Sequence, residues 1–244
     1  MNILMFGWEF PPNISGGLGT ACHGIVRGLQ TCGDVHVTFV VPKAFGDEDS
    51  ANTQIISAEN IALNAESFSS CKSGDVNFLK VTSKLTPYLT PEIYCQRHQI
   101  TGEQGSISGI NSEHKTIHFS GKYGPDLFDE ISNYAIVART IASHNDFNLI
   151  HAHDWLTFPA AVAAKHISGK PLIVHIHSTD FDRSGGSVNP AIYTIEKQGM
   201  DAADQVITVS NRIKNRLIAE YNISPSKITT VYNAIEPETQ DTNG

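Results

Sequence analysis

This sequence of 244 residues has no CxxC pair among its four cysteines, no apolar run as long as a membrane span, and no excess of basic charge. Each lack excludes something. Cys22, Cys32, Cys71 and Cys95 show no zinc-binding spacing, so they read as free thiols in a reducing cytoplasm rather than as a disulfide or zinc framework. Met1 leads at once into a strand-like stretch instead of a charged start followed by an apolar leader. With no segment near the roughly 20 apolar residues of a membrane span, a cytoplasmic protein is expected. Lys and Arg number 17 against 25 Asp and Glu, a net charge of −8, whereas nucleic acid and anionic membranes both call for a basic surface. A neutral or locally recognised ligand fits better.

What is present is an alternation. Short runs rich in Val, Ile and Leu near 2–7, 35–41, 148–152, 171–176, 205–209 and 228–232 read as strands. Helical patterns fall near 17–31, 126–144, 156–167, 190–202 and 211–221. Ser210 before a helical start, Gly33 after the first helix and Ser224-Pro225-Ser226 before the last strand mark boundaries. Such alternation predicts an α/β fold: a doubly wound, Rossmann-like parallel sheet covered on both faces, in one domain over 1–237. Residues 44–124 break the rhythm, with weak strand patterns near 53–57, 76–81 and 116–119, and are expected to form an irregular insertion at the ligand-facing edge. Residues 238–244 read as a flexible tail.

Two features carry chemistry. Gly16, Gly17, Leu18 and Gly19 follow the first strand and open the first helix, where small residues and unpaired helical N–H groups suit a phosphorylated or anionic ligand. Tight helix–sheet packing would equally produce such a loop. The second feature is a pair of histidine pairs at strand ends, His151-Ala152-His153-Asp154-Trp155 and His175-Ile176-His177-Ser178-Thr179-Asp180. Residues two apart on a strand face the same way. In a doubly wound sheet the crevice lies where strand order reverses, so the glycine loop and the first histidine pair should face one cleft. His153 and His177, at the strand ends, are the better candidates for hydrogen-bonding sugar hydroxyls or stabilising developing charge. His151 and His175 read as imidazoles satisfied inside the sheet. Trp155 offers either a sugar-stacking face or a packed aromatic at a helix start. His-x-His followed by an acid also occurs in metal-dependent hydrolases, but the crevice position is explained without a metal, and none is expected.

With loop and His-Ala-His-Asp-Trp in place, the chain resembles the amino-terminal half of glycogen and starch synthases and related retaining glycosyltransferases of the two-Rossmann-domain, GT-B architecture. Met200-Asp201-Ala202-Ala203-Asp204-Gln205-Val206-Ile207-Thr208-Val209-Ser210 and Val231-Tyr232-Asn233-Ala234-Ile235 extend the likeness in the same order. The resemblance implies transfer of glucose from ADP- or UDP-glucose to an α-glucan with retention of configuration. It implies no cofactor beyond the nucleotide sugar as co-substrate, and no metal. Carried over, Gly16 and Gly17, with Leu18 and Gly19 completing the loop, would approach the donor's phosphates or transferred sugar. His153 would contact the transferred unit as the catalytic residue, Asp154 would bind substrate beside it, and His177 and Asp180 would line the acceptor side. Glu9 would shape the cleft entrance or stand solvated.

Two departures qualify the likeness. The usual Lys-Thr-Gly-Gly-Leu is here Ile14-Ser15-Gly16-Gly17-Leu18, and Thr20 stands where an acid is usual, which leaves the donor nucleotide open. His177-Ser178-Thr179-Asp180-Phe181-Asp182-Arg183 leans toward the broader glycosyltransferases, so another acceptor is an alternative. The second Rossmann domain would begin just after Ile235; it is the expected partner, and the chain by itself is expected to be inactive. A non-catalytic glycan-binding domain, a metal-dependent hydrolase and a nucleotide-sugar epimerase are the rival readings.

Overall fold

The computed structural model describes residues 1–48, 53–63, 110, 111 and 116–234. In chain order the elements are β1 (Asn2–Phe6), α1 (Gly17–Gln30), β2 (His36–Val41), β3 (Gln54–Ser57), β4 (Ile110–Asn111), β5 (Thr116–Ile117), α2 (Leu127–His144), β6 (Leu149–His153), α3 (Phe158–Ser168), β7 (Leu172–Ile176), α4 (Asp180–Arg183), α5 (Pro190–Ala202), β8 (Gln205–Thr208), α6 (Asn211–Tyr221) and β9 (Ile228–Thr230). Seven strands form one sheet in the order β3-β2-β1-β6-β7-β8-β9, every pair parallel. Strand order reverses at β1, which pairs β2 on one side and β6 on the other.

Local chemistry sets the ends of these elements. Asn189 accepts a hydrogen bond from the Ala191 N–H at the start of α5, and the Ser210 hydroxyl accepts one from the Ile213 N–H at the start of α6. Helix α3 ends on Gly169 in the left-handed region, φ 66°. The four-residue α4, not foreseen in the sequence, is nucleated by a capping box in which Thr179 and Asp182 serve each other's backbone.

The alternation of strand side chains decides which face each helix covers. Leu4, Phe6, Ile150, Ala152, Val174 and Val206 point into a core shared with Tyr134 of α2, Phe158 of α3, Ile195 of α5 and Leu217 of α6. Ile3, Met5, Val37 and Phe39 point the other way and pack on Cys22 and Val26 of α1. Because Ile150 and Ala152 face the larger core, His151 and His153 between and beyond them face the α1 side, and so does His175 between Val174 and Ile176.

One boundary differs from the sequence expectation. The weak strand pattern near 53–57 is a strand, Gln54–Ser57, but it extends the main sheet as an edge on β2 instead of belonging to an irregular insertion. Four residues of weak alternation do not show which sheet they join until β2 supplies the hydrogen bonds. Ile110–Asn111 and Thr116–Ile117 form a separate antiparallel pair. The strand expected near 76–81 and the tail 238–244 lie outside the described residues.

Candidate functional site

The glycine loop is held from beneath. Glu9 is buried, and its carboxylate accepts from the Ser15 N–H at 2.9 Å and the Ser15 hydroxyl at 2.8 Å, which anchors the residue just before Gly16. Tyr123 stands near Ser15 and Glu9, and partial burial with the Glu9 charge pushes its phenol up to about 12.

The glycines divide by role. A Cβ on Gly19 would lie 2.3 Å from the Ile14 side chain, so that glycine is required by packing. At Gly16 and Gly17 a Cβ would meet no heavy atom within 4 Å. Gly16 is extended, φ −166°, a backbone any residue adopts. Neither chain packing nor backbone geometry therefore demands glycine at these two positions, and they border open space. Gly16 caps α1 without a side-chain acceptor, and no acid stands in the first turn to offset the positive helix end. Leu18 packs into the apolar layer beneath α1.

Across the reversal point, β6 and β7 place His153 directly beside His175. Four imidazoles stack into one group: ring centroids are 4.4 Å apart for His151 and His153, 5.5 Å for His151 and His175, 5.3 Å for His153 and His177, and 4.5 Å for His175 and His177. The His153 Nδ1 and His177 Nε2 share a hydrogen bond of 3.0 Å. Burial holds every ring neutral: His151 and His177 fall to about 4 and His175 to about 2, chiefly by desolvation, with neighbouring imidazoles adding to the effect on His151 and His175. His153, fully enclosed, is driven well below the ordinary histidine range by burial and then by its three neighbours. Uncharged rings in a desolvated wall can donate or accept single hydrogen bonds and carry no standing charge.

Asp154 stands at φ 57°, a left-handed conformation rare outside glycine, asparagine and aspartate. Its Oδ1 accepts from the His177 N–H at 2.7 Å, tying the end of β6 to the end of β7. Burial raises its carboxyl to about 6 against the lowering effect of N–H donors from His177 and Ser178 and the Arg183 charge. The Thr157 hydroxyl donates to the carbonyls of His153 and Asp154, so the turn between β6 and α3 is braced on both sides.

The structure brings Gly17 and His175 onto one cavity of about 790 Å³, bordered also by Thr20, Ala21 and Gly24 of α1 and by Tyr232. Cys22 of α1 lies with His153 and His177, one donor atom of each within 4.8 Å of the others. Gly17 and His175 thus meet at this cavity, but the histidines exchange the parts expected of them: His175, read as satisfied inside the sheet, lines it with both ring nitrogens unpartnered, while His153, read as the crevice-facing ring, is fully buried and does not line it. Asp180 is placed differently. Its Oδ2 accepts from the Asn189 N–H at 2.6 Å and lies in a buried network in which Arg183 pairs with Glu196 at 2.7 Å and the Tyr221 hydroxyl donates to Glu196. That carboxylate braces the segment before α5. Trp155 packs on Phe128 with ring centroids 5.7 Å apart, the packed-aromatic alternative. Cys22 and Tyr123 were not legible as site residues, because only the fold brings them to the loop and the histidines.

The family model for glycosyltransferase family 4 matches residues 96–239, more than half of the 244. An uncharacterised glycosyltransferase of Methanocaldococcus jannaschii is 26% identical over 246 residues, covering 100% of this chain and 48% of that protein. A glycogen synthase of Mycobacterium tuberculosis is 21% identical over 249 residues, covering 97% of this chain and 49% of that one. The chain therefore spans about half the length of these curated relatives. Among solved structures, sucrose-phosphate synthase from Thermosynechococcus elongatus superposes with a TM-score of 0.60 at 12% identity, over 95% of this chain and 47% of that one.

Proposed function

The chain belongs to glycosyltransferase family 4, and from that premise we propose that it forms the acceptor-side half of a retaining enzyme that transfers glucose from ADP- or UDP-glucose to an α-glucan. The observation that carries this reading is the cavity shared by Gly17, at the open N-terminus of α1, and His175, which packs on the other three histidines at the reversal point.

Each group has a role. The bare N-terminus of α1 offers backbone N–H groups to phosphate oxygens or sugar hydroxyls, and the absence of side chains at Gly16 and Gly17 lets a ligand come against the main chain. His153 is fully buried, so on this reading the crevice wall must open for its neutral imidazole, hydrogen-bonded to His177, to reach a hydroxyl of the transferred sugar, where it would add no charge against a developing oxocarbenium centre. Asp154 fixes the relative position of the two histidines through the His177 backbone. A second Rossmann domain would hold most of the nucleotide. The reaction needs no resident cofactor on this reading, and the cytoplasm is the proposed place of action. Among the described residues no helix is long and apolar enough to cross a membrane.

The test is His153→Ala in the two-domain enzyme. Turnover should fall at least tenfold, about 1.4 kcal/mol of barrier, with an unchanged circular dichroism spectrum. Turnover near wild type would remove His153 from the catalytic role. Titration with maltooligosaccharides tests the acceptor: saccharide binding without any transfer in the full-length protein would favour a glycan-binding module instead.

A further inference from the structure

We infer that His151, His153 and His175 form a site for a borderline divalent cation, Zn²⁺ above all, and that an ion held there keeps sugar from the crevice. The second part rests on the functional reading above; the first stands apart from it.

The starting observation is a set of buried ring nitrogens without partners: Nε2 of His151, Nε2 of His153, and both nitrogens of His175. A buried polar atom left unpaired costs about 1–3 kcal/mol, and here four such atoms lie in one group. One donor nitrogen from each of the three rings lies within 4.8 Å of the others. All three rings are buried, at 6%, 0% and 4% exposure for His151, His153 and His175.

The fourth histidine completes the arrangement. The His177 Nε2 occupies Nδ1 of His153, which leaves Nε2 of His153 as the ligating atom and fixes the ring as an outer partner does in established metal sites. Three imidazoles match a zinc set with one position open. For Zn–N bonds of about 2.1 Å at tetrahedral angles the nitrogens must stand roughly 3.4 Å apart, so the rings have to draw together by up to about 1.4 Å. Access is through the cavity that His175 lines beside Gly17 and Ala21. Cys22 with His153 and His177 is a second possible donor set. It is disfavoured because it draws on His177, whose Nε2 is already bonded to His153, and on a thiol that must first lose its proton. Occupancy would hold Nε2 of His153, so an ion and a sugar hydroxyl at that atom exclude each other.

The experiment is titration of the chain with CoCl₂ and ZnCl₂, read by the visible bands of cobalt and by calorimetry, with His151→Gln, His175→Gln and Cys22→Ser alongside. One equivalent of cobalt should bind with the intense bands of low coordination number and no thiolate-to-cobalt charge transfer. Zinc should displace it, affinity should drop at least tenfold in either histidine variant, and Cys22→Ser should bind as wild type. No cobalt spectrum in the wild-type chain, or affinity unchanged in both histidine variants, overturns the site. Charge transfer that vanishes with Cys22→Ser overturns this donor set. In the two-domain enzyme, zinc should inhibit competitively with sugar and a chelator should restore activity. Binding without inhibition overturns the exclusion alone, while a metal-free His153→Ala enzyme with wild-type turnover would instead remove the functional reading.

Discussion

At the residue scale Asp154 is the most exposing test, because its backbone and its carboxylate can be separated. A left-handed φ of 57° is tolerated by asparagine and strained for a β-branched residue, while an Oδ1 acceptor for the His177 N–H survives in asparagine and is lost in valine. Asp154→Val should therefore cost roughly 2.5–6 kcal/mol, from backbone strain of about 1–3 and a lost charge-assisted hydrogen bond of about 1.5–3. Asp154→Asn should stay within about 1 kcal/mol. Urea unfolding of the two variants decides the matter, and equal losses would show that neither the turn nor the bond holds the β6–β7 junction. The acid at this position was legible in the sequence because it follows His-x-His at a strand end. Its direction was not, since one residue at positive φ turns the side chain from the crevice to the backbone of the next strand.

At the element scale the imidazole layer on β6 and β7 is opposed in acid by two buried carboxyls, Asp154 at the end of β6 and Glu196 on α5. His151 and His177 fall from 6.5 to about 4 and His175 to about 2, so below pH 6.5 the unfolded chain binds protons that the native rings refuse, and stability falls with pH. Asp154 is raised from 3.8 to about 6 and Glu196 from 4.5 to about 7, both by burial, so the native state takes up protons first and each adds stability as pH drops through its window. With His153 also depressed, four imidazoles oppose two carboxyls between about pH 6 and 4.5, and below about 4.5 the Glu196 contribution has ended while the imidazole contribution continues. The urea midpoint should therefore decline from pH 6.5 to 4 and decline more shallowly in His151→Gln; parallel curves for the two proteins would refute the assignment. Period-two spacing made each histidine pair readable, but the pairs are separated along the chain by an entire helix, and only the β6–β7 register stacks them into one layer. Edge strand β3 was legible as a weak strand near 53–57, but its place in the main sheet was not, since that depends on a neighbour rather than on its own pattern.

At the scale of the whole molecule the strand order places the crevice at the reversal beside β1, and this was the most legible feature of all, because alternating apolar runs and helical patterns leave few ways to wind a sheet. The same topology sets how far this chain can go alone. Holding a nucleotide sugar at millimolar strength takes about 4 kcal/mol. The positive end of α1 contributes about 0.3–1 kcal/mol toward a phosphate, and each backbone N–H donor roughly 0.5–1.5, before the loss of ligand freedom is subtracted. No Lys or Arg stands among residues 14–20, so the loop brings no cation of its own. Titration of the chain with UDP-glucose and ADP-glucose should accordingly give no saturable heat up to about 1 mM, whereas the two-domain protein should bind one of them at least tenfold tighter than that limit. Micromolar binding to the chain alone would mean that the nucleotide is recognised on this half, and the division of donor and acceptor between two domains would have to be abandoned.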